Sequence, residues 1–286
     1  MIKYISQKGQ DGFGHQLLGM MSLISLTSDT VVYVPYLHDG KFQHVNDEEK
    51  IELKEYLMKF YDILGYKYPH DFSKYPPKKI GSLKEATYAI DFENPQAKLD
   101  WKRYTHVFDN AWFTKDIGKK MYNYNFYNAL NNELLLNNNF DSEYTNIVIH
   151  LRGGDGEKRN FGSNNMNNDP EFKKVIEKLK NDYSNYYFHF HTNNKTVSNN
   201  ILKYINDTRY KVYGKYTKVL FAFSQMLTAD ILIVGDSCLS IAASYVNKGK
   251  ILTPQKLTCA KFYGGEIDTH PIKGRNAIGF KDFLLK

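Results

Sequence analysis

Residues 146–155 read NIVIHLRGGD, and the fold of the whole chain is decided by this stretch. Ile147, Val148 and Ile149 are apolar and β-branched, which predicts a short buried strand. His150 and Arg152 leave its carboxyl end just before Gly153 and Gly154. In an open α/β sheet, ligands bind beyond the carboxyl ends of the strands. The Arg152 guanidinium is a planar fork of donors suited to a phosphate, and the glycine pair lets backbone N–H groups approach one closely. The same residues would also serve a strand-end ion pair and a plain turn, so the surrounding sequence has to separate the two.

Towards the C-terminus, residues 151–168 form a Gly- and Asn-rich loop of a length that is more often functional than idle. Asp169-Pro170-Glu171 opens a helix, with an N-cap, a proline at the first helical position and an acid in the first turn, running to about Lys180. Residues 186–191 alternate as a strand. Residues 194–205, 219–227 and 239–246 read as helices, and 211–213, 231–234 and 250–252 as strands. Such alternation predicts a parallel, doubly wound sheet with right-handed crossovers.

Towards the N-terminus, a strand over 3–6, the glycine-rich turn GQDGFGHQ at 9–16, a helix over 17–26 and a strand over 31–34 make a βαβ unit. Residues 47–64 carry Leu53, Leu57, Phe60 and Leu64 at helical spacing. Beyond them come a loop over 68–77, strands over 86–92 and 105–108, the latter ending at Asp109, and a helix over 117–136. The polar tract 131–142 marks a domain boundary. The expected fold class is α/β and GT-B-like: two Rossmann-like domains, 1–143 and 144–286, facing a central cleft.

At 286 residues the chain has room for two domains. Its net charge of +7 favours an anionic partner. That partner is nucleic acid, an acidic surface or a phosphorylated small molecule, and the lysines are scattered rather than gathered into a run, which weakens the nucleic-acid reading. The two cysteines, Cys238 and Cys259, have no metal-ligand or disulfide-framework spacing, as in a reducing compartment. The N-terminal residues are no signal peptide, and the apolar run at 17–26 is too short to span a bilayer. A cytoplasmic protein without a membrane span is expected.

Three stretches can carry chemistry. His150, Arg152 and Asp155 with the glycine pair form the first. The second is Asp236-Ser237-Cys238-Leu239-Ser240, small polar side chains at a strand-to-helix junction, where helical N–H groups favour an anion or a side chain merely caps the helix. The third is Gly12-Phe13-Gly14-His15-Gln16, in which His15 is suited to moving a proton near neutral pH. His189 and His191 face one side of a strand and read as core or edge histidines rather than a metal pair, because no third ligand is spaced to join them. No Asp-x-Asp pair, G-x-S-x-G elbow, P-loop or CxxC pair is present.

In order and spacing these stretches resemble the GT-B fucosyltransferase superfamily, that is the α1,2-, α1,6- and protein O-fucosyltransferases. That superfamily carries a GxGNQ turn, an HxRxGD or HxRR segment and a late AD…NSSFSW-like segment. The counterparts are 12–16, 150–155, and Ala229-Asp230 with 236–240.

The resemblance implies an acceptor-side N-terminal domain and a nucleotide-sugar donor domain after it. Arg152 would hold the donor diphosphate and His150 would lie near the nucleotide. Ser237, with Asp236, Cys238 and Ser240, would line the phosphate or base pocket, and Gly12, Gly14, Gly153, Gly154 and Asp155 would border the donor. It also implies inversion, with no metal or other cofactor. Gly153 stands where HxRR has its second arginine, and residues 221–225 lack the acid that reads guanine, so the donor is GDP-fucose or a UDP-sugar such as UDP-xylose. His15 replaces the family's asparagine and is the first choice of base for a glycan hydroxyl, with Asp39 and Asp109 behind it. A non-catalytic glycan- or nucleotide-binding protein on the same scaffold is the alternative.

Overall fold

The computed structural model describes residues 3–8, 12–14, 17–18, 21, 31–33, 45–63, 77–80, 105–109, 138–151, 170–192, 205, 207–214, 216–235, 237–254 and 277–286. The chain divides into two compact units, Met1–Ala129 and Leu130–Lys286. The sequence division is at 143/144. Residues 138–140 belong to the second unit: Asn138 Nδ2 donates to Thr228 Oγ1 (2.8 Å), and the Phe140 ring centroid lies 4.6 Å from that of His189.

The first unit holds a parallel sheet of β1 (Lys3–Lys8), β2 (Val31–Tyr33), β3 (Pro77–Ile80) and β4 (Thr105–Asp109), ordered β2-β1-β4-β3. Strand β3 begins at Pro77, the last residue of the stretch read as loop. It is an edge strand, and a proline is tolerated as the first residue of such a strand because no ladder donor is lost.

Helix α1 (Asp47–Ile63) starts where Asn46 Oδ1 accepts the Glu49 N–H at 2.8 Å, with acids filling its first turn. It buries Leu53, Tyr56, Leu57 and Phe60 on one stripe. Phe13 and Gly14, read as part of a turn, are already helical, as are Leu17, Leu18 and Met21. All four of the apolar residues in that set are buried, and Phe13 meets Tyr56 edge-on at 6.2 Å. That burial outweighs a glycine's cost inside a helix of about 1 kcal/mol.

The second unit is built on a parallel sheet of β5 (Thr145–His150), β6 (Tyr186–His191), β7 (Tyr210–Tyr213), β8 (Ile231–Ile233), β9 (Lys250–Thr253) and β10 (Ala277–Gly279). Its order, β10-β9-β8-β5-β6-β7, is the doubly wound Rossmann arrangement, 3-2-1-4-5-6 within the unit. On one face Ile147, Ile149, Leu151, Phe188 and Phe190 pack with helix α2 (Pro170–Asp182) through Phe172, Val175, Ile176 and Leu179. Phe280 and Phe283 of α5 (Phe280–Leu284) complete this core. Helices α3 (Val219–Thr228) and α4 (Cys238–Val246) pack together, and α3 reaches the other face, where β6 and β7 place His189, His191 and Tyr213.

β10 and α5 have no counterpart in the sequence reading, since a three-residue strand offers no period to recognise. The strand expected at 86–92, the helix at 117–136 and the loop at 152–168 lie outside the described residues, as does the helix at 194–205 except Ile205, which is not helical. Among the described residues no helix is long and apolar enough to cross a membrane.

Candidate functional site

In the second sheet the chain winds from β5 towards β6 and β7, then returns to β8 and winds the opposite way. The reversal leaves a switch point at the carboxyl ends of β5 and β8, where sheets of this order take their ligands. His150 ends β5 there, half-buried, with its Nδ1 fully buried.

The chain leaving β8 crosses the end of β5 at Gly235. A Cβ at that position would lie 2.1 Å from the His150 carbonyl oxygen and 3.0 Å from its carbonyl carbon, so no other residue fits without displacement. The turn then closes on itself. Ser237 N donates to Gly235 O at 2.8 Å, and Ser237 is the N-cap of α4, its Oγ accepting from Leu239 N at 3.3 Å. The buried Ser240 hydroxyl shares its single proton between Gly235 O at 3.1 Å and Ser237 O at 3.3 Å. The amino end of α4, with its partial positive charge, is thereby fixed beside the end of β5.

Of the residues singled out in the sequence, the structure brings His150 together with the turn that ends at Ser237 and the first turn of α4, which holds Ser240. Cys238 is the first residue of α4 and is half-buried. Gly12, Gly14 and Asp109 belong to the first unit. Gly12 has open space where a Cβ would stand, Gly14 is buried in the helix, and Asp109 ends β4. His15, Asp39, Arg152, Gly153, Gly154, Asp155 and Asp236 lie outside the described residues.

Sequence reasoning missed Gly235, although a glycine directly after a buried strand is a signal of close backbone approach. It also missed what His189 and His191 belong to. Both rings are buried in a polar cluster with Asn146, Tyr213 and Gln225, and His191 stacks on Tyr213 with ring centroids 4.7 Å apart. Burial pushes the His189 imidazolium down to about 3, helped by the nearby His191 and Lys211. Burial likewise lowers His191 to about 4, against the opposing bond to Gln225. Of the core and edge placements open in the sequence, both histidines take the core one, and among the described residues no group of three potential ligands gathers around them.

No family model and no curated protein matches this sequence. Solved structures do resemble it. The E. coli ADP-heptose LPS heptosyltransferase II is 13% identical with a TM-score of 0.45, over 96% of this chain and 89% of that one. The NodZ α-1,6-fucosyltransferase crystallised with GDP is 13% identical with a TM-score of 0.44, over 86% and 93%. The S. aureus MnaA–UDP structure is 10% identical with a TM-score of 0.39, over 88% and 79%. Likeness of this degree carries no residue's role across. The class defined by strand order and register is α/β and Rossmann-like, as the sequence predicts for a GT-B-like chain.

Proposed function

We propose that this protein is a glycosyltransferase that moves a sugar from a nucleoside-diphosphate sugar to a glycan hydroxyl, with inversion and without a metal ion. The observation that carries this reading is the close packing of Gly235 on His150, which seats the amino end of α4 at the switch point of a Rossmann-ordered sheet. Two residues beyond His150 the sequence supplies Arg152 and then the glycine pair. Arg152, the N–H groups around Gly153 and Gly154, and the Ser237 end of α4 neutralise the departing diphosphate. Preorganised donors aimed at developing charge are among the largest contributions to catalysis. Asp155, Asp236, Cys238 and Ser240 complete the donor surroundings.

The acceptor hydroxyl is deprotonated by His15, before Asp39 or Asp109, since an imidazole titrates nearest neutral pH. The donor is GDP-fucose or a UDP-sugar such as UDP-xylose. Turnover of these donors by wild type and by Arg152→Ala tests the reading. Turnover that is lost in the variant while its thermal transition is retained supports it. Near-normal turnover in Arg152→Ala contradicts it, and donor binding without any turnover, even hydrolysis, identifies a binding protein instead.

A further inference from the structure

The turn between β7 and α3 carries Tyr216, which at 95% is the most exposed large hydrophobic side chain among the described residues. Among those residues it has no ring contact and no hydrogen-bond partner. Every other tyrosine described in the second unit is buried, or packed against another ring or the core. The remaining exposed large hydrophobics are Ile51 on α1 and Leu285, the last residue but one. A single exposed apolar side chain is ordinary on a surface. Two observations set Tyr216 apart: how firmly its turn is held, and where that turn lies.

Buried polar groups hold the turn from both ends. His189 Nε2 lies 3.0 Å from Asn146 Oδ1 in β5, and its Nδ1 lies 3.3 Å from the Tyr213 hydroxyl in β7. His191 in β6 stacks on Tyr213 with the ring planes 9° apart. From α3, Gln225 Nε2 donates to the Tyr213 hydroxyl at 3.2 Å and to Asn138 O at 2.5 Å. The Gln225 oxygen is thereby left to accept from His191 Nε2 at 2.7 Å, which fixes the tautomer of that ring. The end of β7 and the helix after it are thus tied to β5 and β6. Between them Thr217 N donates to Gly214 O at 3.0 Å and closes the turn on which Tyr216 stands. Gly214 itself is exposed, with nothing within 4 Å of where a Cβ would stand, so the turn is open at this edge. A contact set on a fixed turn is ordered before a ligand arrives, which lowers the entropic cost of binding.

The turn leaves the carboxyl end of β7, two strands along from β5 and on the same edge as the switch point. In sheets of this order the diphosphate lies at the first strand, and the ribose is held further on. Neighbouring strands are about 4.8 Å apart, so the ends of β5 and β7 stand about 10 Å apart. A nucleotide with its diphosphate at the His150 end of β5 and its ribose over β6 brings its base to the end of β7.

We propose that the Tyr216 ring is the platform on which the base of the bound nucleotide stacks. This rests on the nucleotide-sugar reading of the same site and adds the residue that grips the base. Every base has a π-face, so a platform of this kind accepts uracil or guanine, and the choice between them falls to other groups.

The test is calorimetric binding of UDP and GDP to the full chain and to its Tyr216→Phe and Tyr216→Ala variants, followed by proton NMR of the base in each saturated complex. Tyr216→Phe should bind as wild type does. Tyr216→Ala should weaken the nucleotide roughly five- to a hundredfold, as the loss of one stacked base does. All three proteins should share one Tm, because the exposed ring supports nothing in the fold. The base protons should move upfield in the wild-type and Tyr216→Phe complexes and stay in place in the Tyr216→Ala complex.

Equal affinity in all three proteins overturns this assignment and leaves the nucleotide reading standing. A loss in Tyr216→Phe as large as that in Tyr216→Ala overturns stacking, because the hydroxyl is then the contact. Base protons that move upfield without the ring overturn it as well, and a Tm lowered in Tyr216→Ala assigns the ring to the fold instead. Absence of binding by any nucleotide to wild type overturns the nucleotide reading itself, and this assignment with it.

Discussion

The backbone leaving β8 at Gly235 presses on the His150 carbonyl so closely that a single added carbon would stand 2.1 Å from the oxygen. The two residues bring together the end of the central strand and the start of α4, and the proposed anion site depends on their approach. Gly235→Ala should therefore cost about 1–3 kcal/mol through overpacking. It should lower Tm by several degrees and weaken nucleoside-diphosphate binding as well. Denaturation and calorimetry on the same variant check both effects, and an unchanged Tm would contradict the close approach.

The buried histidines make stability pH-dependent in a stated direction. The His189 and His191 imidazoliums are lowered from 6.5 to about 3 and about 4 in the folded chain. Above pH 6.5 both rings are neutral in either state and their contribution is intact. As pH falls below that, the unfolded chain takes up protons that the folded one refuses, so stability is lost. The loss on going from pH 7 to pH 5 should be on the order of 2–4 kcal/mol, before most carboxylates titrate. Urea denaturation at the two pH values measures it, and equal stability at both would contradict neutral burial of the pair.

Gln225→Leu removes the amide that joins His191, Tyr213 and the Asn138 carbonyl. Leaving buried partners unsatisfied costs about 1–3 kcal/mol. The His191 ring should also lose its single tautomer, which the histidine nitrogen spectrum reads directly. A wild-type spectrum in this variant would show that Gln225 does not orient the ring.

In the first unit, Phe13 is buried against Tyr56 rather than set in an open turn. Phe13→Ala should destabilise the protein by about 3–5 kcal/mol. A surface turn would tolerate the change within ±0.5 kcal/mol. Thermal or urea denaturation distinguishes the two.

What the sequence made legible follows from where its periods are strong. The continuous apolar run before His150 and the alternation of strands and helices after it were enough to place β5 and the doubly wound sheet, while the cap of α4 was left open between Asp236 and Ser237. Where two local rules compete, the sequence misleads: the glycines flanking Phe13 read as a turn, but the spacing of Phe13, Leu17, Leu18 and Met21 buries one helical face. Strand β3, with the sequence PKKI, is polar and begins with a proline, and only its pairing with β4 makes it a strand. The approach of Gly235 to His150 and the bonds through Asn146, Tyr213 and Gln225 join residues far apart in the chain, and no local pattern encodes them.

The most direct test of the central claim is thermal denaturation in the presence of UDP, GDP and their sugar conjugates, without added metal. A ligand at ~100 times its Kd adds about 2.7 kcal/mol, equivalent to a rise in Tm of roughly 5 °C or more. The account predicts such a rise for one nucleoside diphosphate and for a sugar conjugate of the same base. A Tm unmoved by every nucleotide would contradict it.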